Sequence, residues 1–169
     1  FTVTTGHQPC ILGGPLFFLY KIFTTIGLAE KLSGEFPQYA FIPVFWMAGE
    51  DHDFSEVSTV HAFGRTLTWD APLPGHPVGR MPVDGISVLI AELASLAGQA
   101  EHSVSLIRHF SEAYRQGRTL ADATRVLLDR LFGKYGLVVI DGDDPALKTG
   151  LCRIAEEDLR LRGPGEILG

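Results

Sequence analysis

The near-continuous apolar run from Tyr39 to Met47, ending abruptly in Gly49-Glu50-Asp51-His52-Asp53-Phe54, constrains the fold of this chain more than any other stretch. A run of that length without polar alternation predicts a strand covered on both faces, as in a parallel sheet. Upstream, Phe1 to Thr5 reads as a short strand. Gly13-Gly14-Pro15 then introduces Leu16 to Lys31, whose apolar residues recur at helical spacing. Proline suits the first turn of a helix, where the missing N–H has no partner to lose. Ser33-Gly34 closes that helix, and strand, helix, strand make a β-α-β unit with a right-handed crossover.

Beyond it, Glu56 to Phe63 and Arg65 to Trp69 predict a hairpin across Gly64, followed by a Pro/Gly-rich crossing from Pro72 to Gly79. Asp84 or Ser87 is placed to cap a helix running to about Ala97. Ser103 to Tyr114 and Thr119 to Phe132 are two more amphipathic segments, the last capped by Thr119 or Asp122. Leu137 to Ile140 is a further strand, and Asp141-Gly142-Asp143-Asp144-Pro145 turns into a final helix. The aspartates of that turn match part of a calcium loop without its glutamate, and read as turn and cap chemistry. Strands alternating with helices define an α/β fold with a largely parallel sheet.

At 169 residues and 46% hydrophobic, the chain has the apolar content for one domain with a real core. Its 14 Lys and Arg against 20 Asp and Glu give a charge of −6 with no basic run, so nucleic acid is not an expected partner. Ile11 to Phe23 is broken by Gly13, Gly14, Pro15 and Lys21, which makes it too short to span a membrane, and no signal peptide is read. Cys10 and Cys152 lack CxxC spacing, so neither structural zinc nor a disulfide framework is expected and a cytoplasmic setting is the simplest. Both ends look cut from something longer.

The candidate site lies at the ends of the first two strands, because ligands of open α/β sheets bind at the carboxyl ends of parallel strands. Glu50-Asp51-His52-Asp53 supplies acid and base groups where unpaired charge would be costly to bury. In an extended segment Glu50 and His52 face one way, Asp51 and Asp53 the other, and a carboxylate beside His52 would fix its tautomer and raise its basicity. Thr5-Gly6-His7-Gln8-Pro9 follows the first strand in the same manner, and the Gly13-Gly14 helix entry is a candidate anion site. Gly13-Gly14 matches neither nucleotide-binding glycine spacing. Lys21, on an apolar helix face, either pairs with an anionic substrate or snorkels to solvent. Trp46 either walls the cleft or is buried. His61 is expected to be paired in the sheet, and His76, His102 and His109 to lie on loops or the surface.

Thr5 to Pro9, the Gly14-Pro15-Leu16 to Tyr20-Lys21-Ile22 helix and Pro43 to Phe54 together resemble the BshC family of cysteine-adding enzymes of bacillithiol biosynthesis. Gly79-Arg80-Met81-Pro82 and the Leu131-Phe132 to Asp141 segment fit the same pattern. The resemblance covers residues 1–148. It implies a Rossmann-like core of a larger enzyme, here truncated, with a ligase core over residues 1–150. A helical coiled-coil extension is expected beyond it, with a homodimer of the full-length enzyme.

The implied reaction joins cysteine to glucosaminyl malate through an amide bond, giving a low-molecular-weight thiol. A nucleotide such as ATP would be the natural activating agent, and no resident metal is implied. Carried over as the site are Thr5, Gly6, His7, Gln8, Lys21, Glu50, Asp51, His52 and Asp53; family members often have glutamine where this chain has His7. The tail, residues 151–169, is expected to be a separate helical piece. Ile154 to Gly169 resembles a motif near the end of the helicase core of RecG-type DNA helicases, without the upstream motifs of such an enzyme. A metal-dependent hydrolase using His7, Asp51, His52 and Asp53, or a non-catalytic fragment, are the competing readings.

Overall fold

The computed structural model describes residues 1–71 and 76–161; the part of the Pro/Gly-rich crossing from 72 to 75 and the tail from 162 to 169 lie outside the described residues. Three parallel strands form the main sheet in the order β1 (Thr2–His7), β2 (Ile42–Met47), β5 (Val138–Asp141). Helix α1 (Leu16–Glu35) connects β1 to β2. After β2 come a single-turn helix α2 (Phe54–Val57) and an antiparallel hairpin, β3 (Thr59–Ala62) and β4 (Arg65–Thr68). Helices α3 (Ile86–Ala97), α4 (Glu101–Ala113) and α5 (Leu120–Phe132) lead into β5, and α6 (Pro145–Leu161) follows it.

Two cores meet along α5. Ala121, Leu128 and Phe132 pack with Phe18, Ile22 and Ile26 of α1 against Phe45 and Met47 of β2. Leu120, Ala123 and Leu127 instead join Leu89, Ile90 and Leu93 of α3, Phe110 of α4, and Leu67 and Trp69 of the hairpin region. One helix with apolar residues on two sides thereby ties the sheet to the helical layer. Its start is fixed by a capping box, in which the Thr119 hydroxyl accepts from the Asp122 N–H and the Asp122 carboxylate accepts from the Thr119 N–H.

Several sequence expectations are corrected. β2 packs Phe45 and Met47 against α1 and α5 on one face; on the other face Val44 is also buried, while Ile42 and Trp46 on either side of it remain exposed. Its pairing starts at Ile42 because residues 37–39 form a turn after α1. The hairpin starts at Thr59, since Asp53 nucleates α2 over the stretch that contains Glu56. Neither Asp84 nor Ser87 caps α3: Gly85 occupies the N-cap in the left-handed region. α4 begins at Glu101, a turn fragment earlier than the pattern suggested, and His109 on it is half-buried. His61 does pair across the hairpin, 2.9 Å from the Thr66 hydroxyl.

Candidate active site

The two polar junctions meet at the carboxyl ends of β1 and β2. Pairing of Gly6 with Trp46 and of His7 with Met47 brings Gln8 beside the loop that leaves β2. The Gln8 side-chain amide donates to Asp51 Oδ2 at 3.2 Å and to Glu56 Oε2 at 2.9 Å, so one side chain ties both junctions together. Asp51 also accepts from the Asp53 N–H at 2.8 Å. That bond, the Gln8 amide, and the N–H and charge of His52 outweigh desolvation and hold the Asp51 carboxyl below the usual carboxylate range. His52 is exposed beside it.

Gly49 and Glu50 form a turn and Asp51 to Asp53 an irregular loop into α2, which corrects the alternation expected of an extended segment. Short carboxylates recruit nearby backbone amides and bend the chain. Asp53 is the N-cap of α2, accepting from the Ser55 hydroxyl and the Glu56 N–H. Glu50 turns away from Asp51 toward β5. Its Oε2 is buried without a hydrogen-bond partner, and it would stand 2.7 Å from a Cβ at Gly142, with Trp46 Nε1 at 3.0 Å from the same point. Glu50 and Trp46 therefore line the β2–β5 side of the sheet end, and Asp51 and Gln8 the β1 side.

His7 and Lys21 occupy the flank toward α1. His7 Nδ1 lies 3.1 Å from the Gln8 carbonyl and 3.6 Å from Cys10 Sγ, and its ring meets the edges of Phe17 and Phe18. Lys21 Nζ donates to the Gly6 carbonyl at 2.8 Å and sits 4.8 Å from the Phe17 ring centre. Thr5 and Lys21 line one groove with Phe17 and Tyr20. Burial pushes the Cys10 thiol up to about 12, aided by the charge of Glu56, which makes it a packing group at neutral pH.

Gly13 and Gly14 belong to a turn closed on the protein interior. Gly13 is buried and answers to its positive φ, whereas Gly14 answers to its positive φ and to packing, since a Cβ there would lie 2.6 Å from Cys10 Cβ. They do not form a cradle for nucleotide phosphates. The turn is held by Tyr114, whose hydroxyl accepts from the Leu12 N–H at 2.7 Å and donates to the Cys10 carbonyl. His7, Asp51, His52 and Asp53 are not gathered at one point, and no cluster of three or more such ligands forms among the described residues.

Sequence reasoning missed Glu56, whose spacing three residues after the capping Asp53 was the available signal. It also missed the closure behind Glu50. There Asp143 pairs with Arg80 and Lys148, Gly142 N–H donates to the Met47 carbonyl at 2.8 Å, and Gly79 N–H donates to the Gly49 carbonyl at 2.8 Å.

Comparison with known proteins places these residues in context. The family model described as "Bacillithiol biosynthesis BshC, N-terminal Rossmann-like domain" matches residues 1–163. A protein of Flavobacterium johnsoniae named "Putative cysteine ligase BshC" is 42% identical over 94% of this chain and 30% of its own length. Proteins of the same name from Cytophaga hutchinsonii and Natranaerobius thermophilus are 39% and 37% identical over 94% and 87% of the chain, each over 28% of its own length. The chain thus spans about 30% of the length of the curated relatives it matches.

Proposed function

The chain belongs to the BshC family through its N-terminal Rossmann-like domain, and from that premise we propose that it supplies one wall of the active site of a cysteine ligase of bacillithiol biosynthesis. The full-length enzyme joins the carboxyl carbon of cysteine to the amine of glucosaminyl malate, in the cytoplasm and as a homodimer. The observation that carries the reading is Gln8 bridging to Asp51 and Glu56, which makes the two strand-end junctions one polar surface. An open α/β sheet offers its ligand site in that position.

Amide formation requires the amine nitrogen to bond to an activated carboxyl carbon and lose a proton, while the bond from that carbon to the activating group's oxygen breaks and the group departs with the electron pair. A bound nucleotide such as ATP would supply that activating group. The Gly13-Gly14 turn does not fit its phosphates, so no step is assigned to it there. His52, exposed beside the ionised Asp51, takes the amine proton. Lys21 and His7 stand on the side where an anionic substrate group such as the malate carboxylates would be neutralised. Thr5 and Gly6 shape that flank, while Glu50 and Trp46 close the opposite one.

The test is turnover of the full-length Flavobacterium johnsoniae relative with cysteine, glucosaminyl malate and nucleotide. His52→Ala at the matching position should lower product formation by about 100-fold or more, the range of a general base. Unchanged turnover would remove His52 from this role.

A further inference from the structure

The turn between β1 and α1 is left-handed at a residue that resists it. Leu12 has φ 51°, and Gly13 and Gly14 follow at 86° and 61°. The glycines take these angles readily, whereas the Cβ of a leucine is crowded by the following carbonyl. Strain of that kind persists only where the surroundings over-determine it. Here Ile11 and Leu12 are buried in the core of the helical layer, and the Gly14 N–H closes the turn on the Ile11 carbonyl at 2.9 Å. A further constraint comes from 102 residues away: the Tyr114 hydroxyl accepts from the Leu12 N–H at 2.7 Å and donates to the Cys10 carbonyl at 3.4 Å.

Tyr114 is itself fixed. It is 4% exposed, and burial pushes its phenol up, so the hydroxyl keeps the proton it donates. A phenylalanine would fill the same core with no hydroxyl to desolvate, so the choice of tyrosine answers to the turn. Tyr114 ends α4 with its N–H donating to the Phe110 carbonyl at 2.9 Å. Arg118 Nη1 holds the same helix end through the Glu112 and Ala113 carbonyls at 2.7 and 2.8 Å.

On its other side the turn meets the candidate site. His7 Nδ1 faces the Gln8 carbonyl at 3.1 Å, and a carbonyl only accepts, so the proton of the neutral ring sits on Nδ1 and Nε2 keeps the lone pair. The Cys10 thiol lies 3.6 Å from the same carbonyl and 3.6 Å from Nδ1. Its place is set by the turn, since a Cβ on Gly14 would stand 3.2 Å from Cys10 Sγ. The Gln8 carbonyl that fixes the ring and the Cys10 carbonyl that Tyr114 holds are two residues apart, with Pro9 stiffening the link.

We infer that Tyr114 is a positioning residue: through the Cys10–Gly14 turn it sets the orientation and tautomer of His7 and so presents Nε2 at the flank of the site. An anionic group seated there meets Lys21 directly and His7 only once Nε2 is protonated. That bearing on substrate rests on the function proposed above; the hold on His7 does not.

Nitrogen NMR of the His7 imidazole in the chain of 169 residues, recorded above the ordinary histidine range of about 6.5, tests the inference. The wild type should show one tautomer, with Nδ1 protonated. Tyr114→Phe should draw the two nitrogen shifts together as tautomers mix, and should speed exchange of the Leu12 amide by about 10-fold or more. Leu89→Val, in the same core but on α3, controls for lost stability and should leave the His7 shifts unchanged. A wild-type ring protonated on Nε2, or His7 shifts identical in Tyr114→Phe and wild type, overturns the inference. So does an equal change in Leu89→Val, which would make the effect one of stability alone. Titration with malate tests the flank separately: it should move Nε2 toward its protonated shift, and a His7 indifferent to malate would remove the anion role while the Tyr114→Phe result still decides the positioning.

Discussion

At the scale of single residues, glycines decide how closely the segments behind the site approach. A Cβ on Gly79 would lie 2.7 Å from both the Cα and the carbonyl oxygen of Gly49, which are backbone atoms with little freedom to move. Gly79→Ala should destabilise the protein by about 1–3 kcal/mol in urea unfolding. Gly27 is the contrasting position: exposed, within α1, and with open space where its Cβ would go. Gly27→Ala should stabilise by about 0.5–1 kcal/mol in the same measurement, through helix propensity alone. Composition of the site was legible at this scale, since charges ending an apolar strand have few uses in packing. The direction of each side chain was not. Asp51 and Asp53 turned to nearby amides, and that choice depends on local backbone geometry that strand alternation does not capture.

At the scale of elements, the turn between β5 and α6 should report on acid. Arg80 first, then Lys148, hold the Asp143 carboxyl at about 2, below the roughly 3.9 of an unfolded aspartate. The ionised form therefore favours the fold; its contribution is complete above the ordinary carboxylate range and is lost as pH falls through about 2. Neighbouring Asp141 runs the other way, because burial raises it, and its contribution is present at low pH and lost as pH rises through its raised value. Urea midpoints followed against pH should lose acid sensitivity in Asp143→Asn, whereas Asp141→Asn should gain stability relative to wild type on the neutral side. An unchanged pH profile in both variants would contradict these assignments. Helix α5 makes a second element-scale prediction: Thr119→Ala removes its capping box and should cost about 1 kcal/mol of global stability, since α5 joins both cores. The capping signal and the strand-helix-strand order were readable in sequence. The α3 start was not, because Gly85 caps by conformation and offers no side-chain signature.

At the scale of the whole molecule, a continuous apolar β2 is the sequence of a strand buried on both faces; this chain covers one with α1 and α5, and on the other buries Val44 while leaving Ile42 and Trp46 exposed. The sequence pattern therefore anticipates packing that the described residues do not contain, in keeping with a domain spanning 30% of its relatives. The central claim is that the ends of β1 and β2 act as one site through the 3.2 Å bond from Gln8 to Asp51. The direct measurement is a double-mutant cycle on kcat/KM in the full-length Flavobacterium johnsoniae relative, with Gln8→Ala and Asp51→Ala at the matching positions, singly and together. Coupling of about 1 kcal/mol or more is predicted, whereas effects that add to within about 0.3–0.5 kcal/mol would show two independent junctions and contradict the account.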